Sequence, residues 1–423
     1  MKNEKDQKDH KSPEGTAPEL RDRPLKSLNS RREDSDKSLS CCREDTVSGA
    51  CASPGYSGHG GDCYRNTVRL DFSVNLNPLG MPDCFREALE RGIQCAGRYP
   101  DLLQEAPRRA AALFYSERYK EAFSPEEILP GNGASELITA VYHGLRPRRV
   151  LLTAPCFTGY LHGVDPRKTK PDRYATGETL SFQPDAGFGM MIRPDTELVI
   201  LNNPCNPGGG MLDRKLLRDL LKLTAERHIP VLLDECFLEF TGRLKDSGLR
   251  LMEEYPNLMV LRAFTKSFSM PGVRLGLLFV RDRRLREKVR RALPEWNLSA
   301  FGQEVLITAG ERRTVLYDFL DRTAEKTGEL RNRMEERLKA HGIQVIPSAA
   351  NFLLTRGLGE YADQLLKQGI LVRRCRDMQP LSNEYIRLAV RTAEEQDQFF
   401  DALRRIRADR GLPGQGASEK SGR

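Results

Sequence analysis

The segment Leu261-Arg-Ala-Phe-Thr-Lys-Ser-Phe-Ser-Met-Pro-Gly-Val-Arg-Leu-Gly276 sets one lysine, Lys266, between two hydroxyl residues, Thr265 and Ser267. Arg274 follows eight residues on, just ahead of a second apolar run. The runs 258–261 and 277–280 are continuously apolar and read as buried strands. Lys266 is therefore expected on a turn between two strands, able to point inward. An amine that attacks a carbonyl must be neutral, and a pocket favours the neutral form by desolvation and by nearby cations. The plainer alternative is a surface lysine in a loop. The surrounding residues decide between the two.

Upstream of this segment, strands and helices alternate. Residues 127–130 read as a short strand leading into Gly131-Asn132-Gly133-Ala134-Ser135-Glu136, and 137–145 read as a helix. A glycine-rich turn that opens a helix presents free N–H groups and the positive end of the helix dipole, which is a seat for phosphate. Alone, that signal is weak. Residues 150–153, 198–201 and 230–233 read as further strands, with a helix over 212–228. Apolar strands alternating with helices predict an α/β fold with a mostly parallel sheet covered on both faces. Ligands of such sheets collect at the carboxyl ends of strands. Phe157, Asn206, Asp234 and Lys266 are all expected at those ends.

Together these residues have a chemical meaning. Asp234 directly follows a buried strand and needs a partner, either a helix N-terminus, an arginine or a protonated ring nitrogen. Phe157 offers a flat apolar face to an aromatic ring. Asn206 offers an amide to a ring oxygen. Gly133, Ala134, Ser135, Thr265 and Arg274 offer contacts to a phosphate. With Lys266 they describe a site for pyridoxal 5′-phosphate.

The rest of the chain sets limits. Residues 1–57 and 409–423 are dominated by charged and small residues and are expected to be disordered. Neither has the apolar core of a targeting signal, and no run is long enough to span a membrane. A net charge of +8, with acids and bases mixed, does not point to nucleic acid. The ten cysteines are scattered without metal-ligand spacing, so no metal is expected, and reduced thiols in the cytoplasm fit best. Cys205 and Cys236 read as small packing residues. Helices are expected over 83–94, 101–117, 283–293, 299–341, 359–367 and 394–408. Strands are expected over 370–374 and 385–390, and 345–354 belongs to the same small α/β unit.

Over about 58–408 the order of these motifs resembles the fold-type I pyridoxal-phosphate enzymes of the class I/II aminotransferase superfamily. The branch it is most similar to is the threonine-phosphate decarboxylases of cobalamin synthesis, close to histidinol-phosphate aminotransferases. Three marks carry this: His59-Gly60-Gly61; Asp71-Phe-Ser-Val-Asn-Leu-Asn-Pro-Leu-Gly80; and Asp234-Glu-Cys-Phe237, with phenylalanine where aminotransferases commonly have a cofactor-binding tyrosine. The resemblance implies that Lys266 bonds covalently to the cofactor and that Asp234 holds the ring nitrogen protonated. It implies that Asn206 contacts the phenolic oxygen, that Phe157 stacks on the ring, and that Ala134, Ser135, Thr265 and Arg274 hold the phosphate. His59, Gly60, Asn75, Arg373 and Arg387 would line the substrate position, with Arg387 on its carboxylate. Without the resemblance, both arginines would read as surface ion pairs. Ser299 stands where relatives often have asparagine, which questions a substrate contact there.

The implied organisation has an active-site segment over 58–98, a large cofactor-binding domain over 99–300 and a small α/β domain over 301–408, in a homodimer. The implied activity is decarboxylation of L-threonine O-3-phosphate to (R)-1-amino-2-propanol O-2-phosphate. The alternatives are transamination of histidinol phosphate or a related amino acid, and a non-catalytic binding protein on the same fold. Intact Lys266 and Asp234 argue against the last.

Overall fold

The computed structural model describes residues 60–410. Residues 1–57, His59 and 411–423 lie outside the described residues, and Asp409, expected in the disordered tail, instead ends the last helix. A short strand β1 (Leu70–Asp71) and two helices, α1 (Asp83–Cys95) and α2 (Glu105–Tyr119), precede the main sheet. The sheet is then built in chain order from β2 (Ile128–Gly131), α3 (Ala134–Leu145), β3 (Arg149–Ala154), β4 (Lys170–Ala175) and β5 (Leu198–Asn202). It continues with α4 (Arg214–Glu226), β6 (Val231–Asp234), β7 (Leu258–Ala263), the one-turn helix α5 (Phe264–Ser267) and β8 (Gly276–Val280).

The seven strands lie in the order β2-β8-β7-β6-β5-β3-β4. All neighbours are parallel except β8, which runs antiparallel to both β2 and β7. The apolar runs are continuous because both faces are covered. Val199, Leu201, Leu233 and Val260 pack on one face with α1, α2 and α4, while Leu198, Ile200, Leu232 and Met259 pack on the other with α3. Helix α4 shows how a covering helix is specified. Its buried residues Leu217, Leu220, Leu221 and Thr224 recur at helical spacing. Asp213 caps its start, accepting a bond from the Leu216 N–H at 2.8 Å.

Helices α6 (Arg283–Arg290), α7 (Ala300–Glu311) and α8 (Arg313–Ala340) lead to a second sheet. The strands β9 (Gln344–Ile346), β10 (Phe352–Arg356), β12 (Arg373–Arg374) and β13 (Tyr385–Ala389) form it in the antiparallel order β12-β13-β10-β9. Between them lie α9 (Ala362–Lys367) and β11 (Ile370–Leu371), which pairs parallel with β1. The last helix, α10 (Ala393–Asp409), starts at a capping box of Thr392 and Glu395.

Three further expectations are corrected. Lys266 lies in a single helical turn, α5, instead of an open turn. The run 299–341 is two helices broken at Arg312, where φ is −103° and ψ is 21°. α7 is buried against α1 and α2, whereas α8 buries one stripe, so their packing demands different axes. The run 370–374 is likewise two strands, because the residues on either side of Val372 pair with different partners, β11 with β1 and β12 with β13.

Candidate active site

A cavity of about 210 Å³ opens at the carboxyl ends of the parallel strands. The main sheet brings Phe157, Asn206, Asp234, Thr265, Lys266 and Arg274 to it, together with Ala134 and Ser135 from the start of α3. Gly60 and Asn75 reach it from the N-terminal segment, and Arg373 and Arg387 from the second sheet. His59 lies outside the described residues.

Asp234 ends β6 and is buried. One carboxylate oxygen accepts the Tyr160 hydroxyl at 2.7 Å, and the other accepts the Cys236 N–H at 3.0 Å. Both donors are neutral. Burial therefore raises the Asp234 pKa, and the hydrogen bonds from the Cys236 thiol and N–H and from the Tyr160 hydroxyl only partly oppose it. A cation facing this carboxylate from the cavity would relieve that cost.

Lys266 projects from α5 into the cavity. Burial pushes its pKa down to about 8, and the nearby Arg387 and Arg274 cations push the same way. The deprotonated amine is thus accessible near neutral pH, as covalent capture of a carbonyl requires.

The first turn of α3 offers its unbonded N–H groups toward Ala134 and Ser135. Gly133 precedes them at φ +86°, in the left-handed region, and an added Cβ would stand 2.6 Å from the Arg274 guanidinium. Arg274 donates to the Pro271 carbonyl at 3.2 Å, which steadies its guanidinium beside this turn. Thr265 is buried alongside. A phosphate fits this corner: it has helix N–H groups, a hydroxyl and a guanidinium to take it.

Other groups are unsatisfied in ways that fit a ligand. Asn75 is buried, and neither its amide nitrogen nor its oxygen has a partner among the described residues. The Arg387 side chain is 7% exposed. It donates to Asn206 Oδ1 at 2.6 Å and to the Ser73 carbonyl at 3.1 Å, while its Nε is unpartnered among the described residues. No carboxylate of the described residues pairs with Arg387, and burial pushes its pKa down to about 10. Arg373 sits directly opposite Arg387 across β12 and β13 and donates to Asp377 at 2.6 Å. These two cations are buried and not surface ion pairs.

The lining residues Asn202 and Met378 were not singled out from sequence, nor was Tyr160, which stands behind the lining and bonds Asp234. Asn202 orders the loop after β5, accepting the Asn206 N–H at 2.7 Å and donating to the Asp234 carbonyl at 2.8 Å. Tyr160 lies three residues after Phe157 in Phe-Thr-Gly-Tyr, and that proximity was its only available signal. Cys236, read as packing, also lines the cavity, and burial holds its thiol well above the ordinary range. Cys205 is buried in an apolar cluster under the second sheet. Ser299 is not among the cavity residues. It caps α7, accepting the Gly302 N–H at 3.2 Å.

The chain is 29% identical over 343 residues to a threonine-phosphate decarboxylase of Salmonella typhimurium, covering 80% of this chain and 91% of that protein. It is 30% identical over 354 residues to a histidinol-phosphate aminotransferase of Thermococcus gammatolerans, covering 81% and 92%. The crystal structure of the histidinol-phosphate aminotransferase from Clostridium acetobutylicum superposes with a TM-score of 0.72 at 28% identity, over 80% of this chain and 99% of that one. A family model, aminotransferase class I and II, matches residues 67–403. The fold is thus that of the type I pyridoxal-phosphate enzymes. The chain belongs to the aminotransferase class I and II family, and its cofactor is pyridoxal 5′-phosphate.

Proposed function

We propose that this enzyme decarboxylates L-threonine O-3-phosphate to (R)-1-amino-2-propanol O-2-phosphate, for the nucleotide loop of cobalamin. The observation that carries the reading is the pair of buried arginines, Arg373 and Arg387, set directly opposite each other on β12 and β13 and facing one cavity with Lys266. Two adjacent buried cations suit a substrate with two anionic groups. Threonine phosphate has a carboxylate and a phosphate, whereas histidinol phosphate has a phosphate alone. Phe237 adds support. It lines the cavity and packs edge-on against Phe352 at 5.1 Å, so it offers no hydroxyl to the cofactor.

In this reading Arg387, lacking an acidic partner, takes the substrate carboxylate, and Arg373 takes the phosphate in competition with Asp377. Asn206 holds the Arg387 guanidinium in place. Bound pyridoxal phosphate supplies an electron sink for the pair left when a bond at Cα breaks. The two arginines would select the reaction by how they turn the substrate's Cα bonds in the cavity. Lys266, close to its pKa, returns a proton to Cα once carbon dioxide has left. Asp234 holds a proton at the ring nitrogen.

The test is a carbon dioxide release assay with L-threonine O-3-phosphate on cofactor-loaded protein, with the cofactor spectrum followed in the same sample. Carbon dioxide release with an unchanged cofactor state supports the proposal. Conversion of the cofactor to its amine form by histidinol phosphate or glutamate, without carbon dioxide, replaces it with the aminotransferase reading, which the second relative favours. On the family resemblance we also read the chain as a cytoplasmic homodimer. Light scattering should then give twice the 47.8 kDa chain mass. No helix among the described residues is long and apolar enough to cross a membrane.

A further inference from the structure

Tyr160 donates its hydroxyl to the Asp234 carboxylate at 2.7 Å. It ends a short helical turn, Thr158–Tyr160, that follows β3, so its position is tied to the sheet. Its ring meets Phe157 edge-to-face at 5.5 Å, and Gly159 makes that turn possible, since a Cβ there would stand 2.2 Å from the Phe157 ring. One turn thus presents a face toward the cavity and a hydroxyl toward Asp234.

The phenol is fully buried, and burial with the neighbouring Asp234 charge holds its pKa well above the ordinary value, so it remains a donor. The other ionisable groups around Asp234 are accounted for. The Cys236 and Cys156 thiols are held protonated by burial. The Arg262 cation lies on β7 and is engaged by Glu235 and Glu239. Lys266 stands in the same cavity as Asp234.

With Tyr160 on one oxygen and the Cys236 N–H on the other, the plane of the carboxylate is set. A neutral donor stabilises the ionised carboxylate and makes it less basic. We infer that Tyr160 is a positioning residue that keeps Asp234 ionised and turned toward the cavity, so that the proton between Asp234 and the ring nitrogen of bound pyridoxal phosphate rests on the nitrogen. This rests on the reading of Asp234 as the partner of that nitrogen. Without the hydroxyl, Asp234 becomes the stronger base and draws the proton to oxygen, which weakens the electron sink.

The test loads wild type, Tyr160→Phe and Asp234→Asn with pyridoxal phosphate carrying ¹⁵N in the ring and reads the nitrogen resonance. The wild type should give a protonated-ring signal. Tyr160→Phe should move part of the way toward the unprotonated position, and Asp234→Asn further. Cofactor affinity should fall about tenfold in Tyr160→Phe, the scale of a hydrogen bond to a charged group. Its loss of activity should fall on kcat with KM nearly unchanged. An unmoved resonance in Tyr160→Phe with a moved one in Asp234→Asn overturns the role of Tyr160 alone. An unmoved resonance in Asp234→Asn overturns the reading of Asp234 and the inference with it. If Tyr160→Phe does not fold, the wild-type holoprotein still decides. A downfield Tyr160 hydroxyl proton that Asp234→Asn abolishes supports the inference, and the absence of that proton from the wild type overturns it.

Discussion

Lys266 combines a chemical requirement with a cost to the fold. Its pKa is about 8 in the folded apoprotein against an ordinary 10.5. The unfolded chain therefore binds the proton more tightly. Burial of this lysine destabilises the apoprotein fully below about pH 8, and the cost fades as pH rises toward 10.5. Lys266→Met should stabilise the apoprotein at pH 7 by about 1–3 kcal/mol, allowing for the lysine's partial contact with solvent. Urea titrations should show that gap closing by about pH 10. In the wild type the rate of covalent cofactor capture should rise with pH through about 8, because the neutral amine is the attacking form. A capture rate independent of pH between 7 and 9 would count against an amine so perturbed.

At the scale of elements, the end of β6 is held from below by a buried ionic cluster. Arg262 of β7 donates to Glu235 at 3.1 Å and also bonds Glu239 and the Tyr119 hydroxyl. Arg118 reaches Glu239 from α2 at 3.1 Å. Ser247 and the Gly248 N–H complete Glu235 at 2.6 and 2.7 Å. Such a cluster is satisfied as a whole, and removing one member leaves charge buried without a partner. Arg262→Ala should cost about 3–5 kcal/mol in chemical denaturation, and Arg262→Ala with Glu235→Gln should cost less than the sum of the two. A second element-scale constraint is the approach of β8 to the turn before α3. A Cβ at Gly276 would lie 2.8 Å from the Gly133 carbonyl carbon and 2.9 Å from the Ala134 nitrogen. Gly276→Ala should push that turn aside and weaken phosphate-dependent cofactor binding about tenfold or more, a loss of at least 1.4 kcal/mol. Titration of the apoprotein with pyridoxal phosphate, compared with pyridoxal lacking the phosphate, checks that the loss is at the phosphate corner.

At the scale of the whole molecule, the site is assembled by two sheets. The main sheet presents Lys266 and Asp234, and the second presents Arg373 and Arg387. The bond from Arg387 to Asn206 joins them across 181 residues of sequence. Arg387→Lys keeps the charge but loses the planar fork and its bond geometry. It should raise KM for threonine phosphate by about tenfold to a hundredfold, scaled from a charged hydrogen bond. The cofactor affinity should change little. An equal loss of cofactor affinity would mean that Arg387 braces the loop after β5 instead of holding substrate.

The chain order alone determined the alternating strands, the strand-end positions of Phe157, Asn206, Asp234 and Lys266, and the glycine-rich turn before α3. Those features depend on local periodicity and turn chemistry, which neighbouring residues write directly into the sequence. Tertiary structure alone decided the rest. The break at Arg312 follows from two helices burying different faces, although helix-forming residues run through it. The hydroxyl of Tyr160 on Asp234 spans 74 residues, and no local pattern marks it. Without the family resemblance, Arg373 and Arg387 look like surface charges in sequence, and it is the antiparallel register of β12 and β13 that buries them side by side. Burial and long-range pairing set the charge state of Lys266, Asp234 and Arg387, because desolvation depends on what the whole fold packs around a group.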